Sequence, residues 1–291
     1  MIVSPETSAS QITTDTLRLL RQQIAAPQIS ALPLATKLPP HDKTRPCALV
    51  FSPHPDDECL TGILPLRLLR ERNFQIIVVA MTLGSDKSRR AARNIELAKA
   101  CAVLGFAGFL PEEYGFSNIN VAVREEEGVA WRKKVFRLAE IIAHYMPQAL
   151  FMPHVGDWNA THVGAHLLAR DALVKMPGEF NCTIIETEYW QPMLEPNLMV
   201  GAGEQDAATL LSALACHAGE VARNPYDRRF LAYLIDNVRR GSERVGGKGA
   251  VSAPMDFAML YKIGLWSRGK FMPSALNRMI GANESVGALF D

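Results

Sequence analysis

Two continuous apolar runs, CALVFS at 47–52 and FQIIVVAMTLG at 74–84, constrain this chain more than any other feature. A strand with one wet face alternates apolar and polar residues, whereas unbroken apolar runs belong to parallel strands covered on both faces. Between them, DECLTGILPLRLLRERN (57–73) carries Leu60, Ile63, Leu64, Leu66 and Leu68 at helical spacing. The rhythm continues with an amphipathic helix, SRRAARNIELAKACAVLG (88–105), in which Gly105 is placed for a C-cap. A short strand at 107–111, a helix over 130–146, the strand QALFMPH (148–154), a helix over 161–176 and the strand CTIIETEYW (182–190) follow. This alternation predicts an α/β sandwich with a mainly parallel sheet.

The flanks read differently. Residues 1–46 form an arm: a helix over about 11–25, then the proline-rich APQISALPLATKLPPHDKTRP, extended over the main domain. That domain runs from 47 to 291, and from about 191 its pattern weakens into an extension. There DAATLLSALACHAGEVARN and RRFLAYLIDNVRRGSERV each read as one helix, and GGKGAVSAPMDFAMLYKIGLW as a loop followed by strand or helix.

With 31 basic and 30 acidic residues, the net charge of +1 argues against a general nucleic-acid surface. No window reaches the roughly 18 apolar residues of a membrane span, and the N-terminus lacks the pattern of a signal peptide. The five cysteines are scattered without a CxxC pair, as expected of reduced thiols in a cytoplasmic protein.

In parallel sheets ligands sit beyond the carboxyl ends of the strands, and there the chain places its chemistry. After the first strand comes SPHPDDE, with His54 and Asp57 at i, i+3 on a strand-to-helix turn. Imidazole and carboxylate are good zinc donors, and a third ligand with one open position makes such a site catalytic. Asp56, between them, is then a candidate base. A helix N-terminus also favours acids through its dipole, so this segment alone leaves both readings open. A later stretch, MPHVGDWNATHVGAH, holds His154, Asp157, Asn159, His162 and His166. His162 and His166, at i, i+4, share a helix face, and either could complete a His–Asp–His set; N-capping by Thr161 with solvated histidines is the structural alternative.

His54-Pro55-Asp56-Asp57-Glu58, followed by Asn159-Ala160-Thr161-His162-Val163-Gly164-Ala165-His166, resembles the LmbE-like (PIG-L) zinc-dependent de-N-acetylases, whose motifs are (A/P)HPDD(E) and HPDHxxxH. The resemblance covers 47 to about 190. It implies a Rossmann-like three-layer sandwich and a hydrolase that removes an N-acetyl group from an N-acetylglucosamine-type amino sugar by attack of a zinc-bound water. It further implies His54, Asp57 and His162 as ligands of Zn2+, with Fe2+ a second candidate, and Asp56 as general base. Asn159 stands where the family has a histidine beside the oxyanion; an amide donates a hydrogen bond there but supplies no proton near neutral pH. Arg93, with Arg89 and Arg90 nearby, matches a segment that faces the sugar. His166 and Glu58 fall behind the ligands, His166 orienting a ligand or closing the pocket and Glu58 anchoring the loop. His217 matches a late family histidine only in part and reads as a satisfied helix residue. The partner implied is a small molecule or glycoconjugate bearing an N-acetyl amino sugar, and assembly into a homo-oligomer through the arm is compatible with it. Hydrolysis of another N-acyl amide, or metal binding without catalysis, are the alternatives.

Overall fold

The computed structural model describes residues 24–126, 128–189, 191–275 and 277–290, with Gln11, Thr14, Asp15 and Arg18 from the arm. The helix expected over about 11–25 therefore falls largely outside the described residues. From 24 to 46 the chain forms neither helix nor strand and is stitched to the domain: Leu34 exchanges two hydrogen bonds with the Asn94 side chain, and Tyr145 donates to the Pro39 carbonyl.

The first half delivers the expected alternation: β1 (Cys47–Ser52), α1 (Asp57–Leu60), α2 (Ile63–Arg72), β2 (Gln75–Ala80), α3 (Arg90–Leu104), β3 (Ala107–Phe109), α4 (Val121–Glu125), α5 (Val129–Tyr145), β4 (Ala149–Pro153), α6 (Ala160–Leu173) and β5 (Cys182–Thr187). The second half adds β6 (Leu198–Ala202), α7 (Glu204–Ala215), α8 (Ala218–Arg223), α9 (Tyr226–Arg244), β7 (Phe257–Ser267), β8 (Lys270–Pro273) and β9 (Arg278–Ile280).

All nine strands among the described residues join one sheet in the order β3-β2-β1-β4-β5-β7-β6-β9, with β8 paired to β7. The segment β3-β2-β1-β4-β5 is parallel throughout. Strand β7 then runs antiparallel between β5 and β6, so the stretch beyond 190 extends the same sheet. Along β1 the side chains divide by alternation: Ala48 and Val50 enter one core, Cys47, Leu49 and Phe51 the other. Side chains of α2, α3 and α7 fill the first core and those of α5 and α6 the second, giving three layers.

Two expected helices are broken. The run 57–73 splits at Thr61–Gly62, because Gly62 turns the chain with φ +80° and a Cβ there would lie 2.9 Å from Met259 Cε. The run 206–224 splits at His217, which stands as N-cap of α8. Gly105 does cap α3 in the left-handed conformation.

From β1 the chain moves to β2 and β3 on one side, and later crosses back to β4 on the other. The reversal between β1 and β4 opens a crevice at the carboxyl ends of those two strands, the place where doubly wound sheets bind ligands. His54 and Asp57 follow β1; Asp157, Asn159 and His162 follow β4.

Candidate active site

Three ligand-type atoms meet in that crevice. His54 Nδ1 lies 3.1 Å from His162 Nε2 and 3.3 Å from Asp57 Oδ2, and His162 Nε2 lies 3.2 Å from the same oxygen. Donors placed tetrahedrally at zinc-like bond lengths are separated by ~3.3–3.4 Å, so this triangle has nearly the edge length of a three-ligand face. The second oxygen of Asp57 is buried and has no hydrogen-bond partner among the described residues. Both features fit a divalent cation held by these three side chains.

Electrostatics agree with that fit. Burial opposes the charge on Asp57, yet His162 and His54 together hold its carboxyl below the usual range. Burial likewise opposes charge on His162, but Asp57 and Asp157 raise its pKa to about 9. Asp157 Oδ2 sits 3.0 Å from His162 Nδ1, which fixes the ring so that Nε2 faces the triangle. Its other oxygen accepts the Asn159 amide at 2.8 Å, closing the turn before α6. The structure thus makes Asp157 the partner of a converging histidine.

Backbone packing sets where His162 stands. Gly164, one turn into α6, lies so close to the 119–120 segment that a Cβ would come 2.1 Å from the Ile119 carbonyl oxygen. Asn159, and not Thr161, caps the helix, its Oδ1 accepting the Thr161 amide at 2.9 Å. That bond leaves the Asn159 amide nitrogen as the end available for donation.

Asp56 is buried and carries φ +112°, a strained value for a residue with a Cβ. The loop is held from two directions. Arg93 donates to the Pro55 carbonyl at 3.1 Å, and Glu58 Oε2 accepts the Asp56 amide at 3.0 Å. Burial first, then the charges of Asp57 and Glu58, push the Asp56 carboxyl well above its ordinary value, against the pull of Arg93. Glu58 is itself sealed from water and bonds His217 Nε2 at 2.6 Å. That separation, with the Cys59 thiol pushed far up by burial, marks a hydrogen-bonded pair; two donors on one tetrahedral ion stand farther apart.

His154 and His166 leave the triangle. His154 Nε2 bonds the Gln191 carbonyl at 2.8 Å and lines a separate cleft of about 380 Å³ with Glu186 and Lys262. His166 Nδ1 bonds the Pro153 carbonyl at 2.9 Å and lies 3.6 Å from Glu186, and burial lowers its pKa to about 4. Four residues along a helix rise ~6 Å, which carries His166 past the other three side chains although it shares their face.

The site opens into a cleft of about 570 Å³ lined by His54, Asp56, Arg89, Arg93, Asn159 and Tyr226, among others. Arg93 lies across Gly84, where a Cβ would be 2.3 Å from its Nη1. Arg90 instead bonds the Gly84 carbonyl. Two further lining residues, Glu220 and Arg223, come from α8 and carried no signal in the sequence.

Comparison with known proteins follows the same lines. No curated protein matches the chain significantly. Among solved structures it is similar to a 4-carboxy-2-hydroxymuconate hydratase from Pseudomonas putida (18% identity, 75% of this chain and 95% of that one, TM-score 0.57). It is similar also to the N,N'-diacetylchitobiose deacetylase from Pyrococcus horikoshii (16%, 75% and 83%, TM-score 0.52) and to a zinc-inhibited form of teicoplanin deacetylase (11%, 79% and 99%, TM-score 0.53). Likeness at such identities establishes the shared fold. The family model described as PIG-L, GlcNAc-PI de-N-acetylase, matches residues 49–173, the stretch that holds all three converging side chains. Over residues 49–173 the chain is thus similar in sequence to the PIG-L family.

Proposed function

We propose that the chain is a divalent-metal-dependent hydrolase that removes the acetyl group from an N-acetylglucosamine-type amino sugar. The observation that supports this reading most directly is the His54–Asp57–His162 triangle, with Asp56 beside it and outside it. Zn2+ fits the donor set, as Fe2+ would. Such an ion supplies a Lewis acid for the amide carbonyl and makes a water acidic enough to ionise near neutral pH.

The side chains do the rest. Asp56, whose burial favours the protonated form, takes the proton of the attacking water as its oxygen bonds to the carbonyl carbon. Asn159, with its oxygen committed to the helix cap, turns its amide N–H to the carbonyl oxygen as charge develops there. Asp56 then returns the proton to the nitrogen as the C–N bond breaks, and acetate and a free amine result. Arg93 contacts the sugar, Glu58 keeps the Asp56 loop in place, and His166 ties α6 to the end of β4. The catalytic domain is read as 47–291, with 1–46 as an arm. Five buried, unpaired thiols support a cytoplasmic setting, and among the described residues no helix is long and apolar enough to cross a membrane.

The test is acetate release from a panel of N-acetylated amino sugars, using protein stripped by chelator and reloaded with Zn2+ or Fe2+. Release that depends on the ion is expected. Silence across the panel, together with water addition to an unsaturated tricarboxylate by the same preparation, would replace hydrolysis by hydration.

A further inference from the structure

Glu186, on β5, shows only 9% of its side chain to solvent, yet its carboxylate accepts no hydrogen bond among the described residues. His166 Nδ1 stands 3.6 Å away, too far for such a bond, and is given to the Pro153 carbonyl. Lys262 faces Glu186 across the β5–β7 ladder, but its Nζ lies 3.6 Å from Glu195. Arg170, whose charge also reaches Glu186, spreads over the rings of Trp266 and Phe271. Burial raises the Glu186 carboxyl above its ordinary range against the pull of both cations. His154 adds a second acceptor that lacks a donor. Its Nε2 bonds the Gln191 carbonyl, which can only accept, so that nitrogen carries the hydrogen and Nδ1 of the neutral ring keeps its lone pair. Gly156 leaves Nδ1 uncovered, for a Cβ there would lie 3.3 Å from it. Both residues line the separate cleft of about 380 Å³, a volume within the range of small-molecule sites. Val155, Pro192, Met193 and Leu194 give it an apolar wall. Among the described lining side chains Lys262 stands against both Glu186 and Glu195, so whichever carboxylate it serves, the other keeps no cation of the cleft.

We propose that this cleft binds a small molecule through a primary ammonium group, with Glu186 and His154 Nδ1 receiving its N–H bonds and the apolar wall covering its carbon body. An ammonium brings three donors and no acceptor, which is what these two residues lack. Its bond to a desolvated carboxylate is charge-assisted and so stronger than one between neutral groups. The cleft shares a loop with the three converging side chains: the His154 carbonyl accepts the Asp157 amide, and Asp157 orients His162. Hydrolysis of an N-acetylated amino sugar liberates an amine, which makes that product one source of the ammonium. An apolar amine unconnected with the reaction is the other source. The product as occupant rests on the deacetylase reading, but ammonium recognition does not.

The experiment is isothermal titration of the full-length, zinc-loaded protein in an Asp56→Asn background, which keeps the acetylated probes from being consumed. The probes form two pairs, glucosamine with N-acetylglucosamine and benzylamine with N-acetylbenzylamine, each differing by an ammonium against an amide. In at least one pair the amine is expected to bind about tenfold more tightly, equivalent to ~1.4 kcal/mol. Glu186→Gln, which keeps the shape and removes the charge, should abolish that advantage. Leu194→Trp should abolish it too by filling the cleft, and Leu194 is exposed enough to accept the change without unfolding the chain. An advantage confined to glucosamine supports the site with an amino sugar as occupant, and one confined to benzylamine supports it with an apolar amine. Equal affinities within both pairs would overturn the site. So would an advantage that survives both variants, because the amine would then sit beside the metal. Acetate release from N-acetylglucosamine is measured separately on the unaltered chain; its absence alongside an amine preference lost in Glu186→Gln would support the site and remove the activity.

Discussion

His217 and Glu58 are joined by a 2.6 Å hydrogen bond between two side chains sealed from water, and the second Glu58 oxygen holds the amide of Asp56. Removing one partner of a buried pair strands the other, at a cost of ~3–5 kcal/mol. His217→Ala should therefore lower the urea midpoint strongly, while His217→Gln, which still donates, recovers part of the loss. Because the Glu58 tether steadies Asp56 at φ +112°, kcat in the Gln variant should fall with metal content unchanged. Full activity there would show that the tether has no part in catalysis.

Loss of a converging ligand should abolish metal retention. Asp57→Asn and His162→Ala are expected to copurify with less than a tenth of the bound ion by elemental analysis. Asp157→Asn disturbs the bond to His162 and the turn at Asn159, and should weaken metal affinity 10–100-fold, in the range usual for partners of metal-binding histidines.

Asp56→Asn separates binding from chemistry. Metal content should stay stoichiometric while turnover drops ~10²–10⁴-fold, as for other positioned acid–base groups. Unchanged turnover on a confirmed substrate would place the base elsewhere.

Gly164→Ala probes the packing behind His162. Since the new methyl would collide with the Ile119 carbonyl, α6 must shift, at a cost of ~1–3 kcal/mol. Thermal melts report the cost, and metal affinity falling in parallel reports the displaced ligand.

The pH dependence of stability carries a signature of His166. Its folded pKa is lowered to about 4 by burial, against ~6.5 in an unfolded chain. Between those values the unfolded state holds the extra proton, so stability falls as pH drops through that window, by about 3 kcal/mol in full. Glu186, raised by burial, acts in the opposite sense. The measurement is therefore the difference between wild type and His166→Asn: the variant should lose less stability between pH 6.5 and 4.

Periodicity is a local property, and what it encodes was legible. The run at 47–52 announced β1, and the two motifs after β1 and β4 announced His54, Asp57 and His162. Nothing local says that β7 slots between β5 and β6, since that choice rests on pairings such as Thr187 with Tyr261. The fate of His166 was hidden for a related reason: helical spacing gives its face, while the distance along the axis decides what it reaches. Glu220 and Arg89 are separated by 131 positions, and no spacing rule connects them. Asp157 left the clearest missed sign, an acid in the turn just ahead of a histidine-bearing helix.

The antiparallel insertion has a consequence for biosynthesis. During translation β1 to β5 emerge first and can pair among themselves, which exposes the outer rim of β5 as an unpaired edge until Phe257–Ser267 leaves the ribosome. Nascent chains stalled before β7 should then draw chaperones, whereas those stalled after it should not.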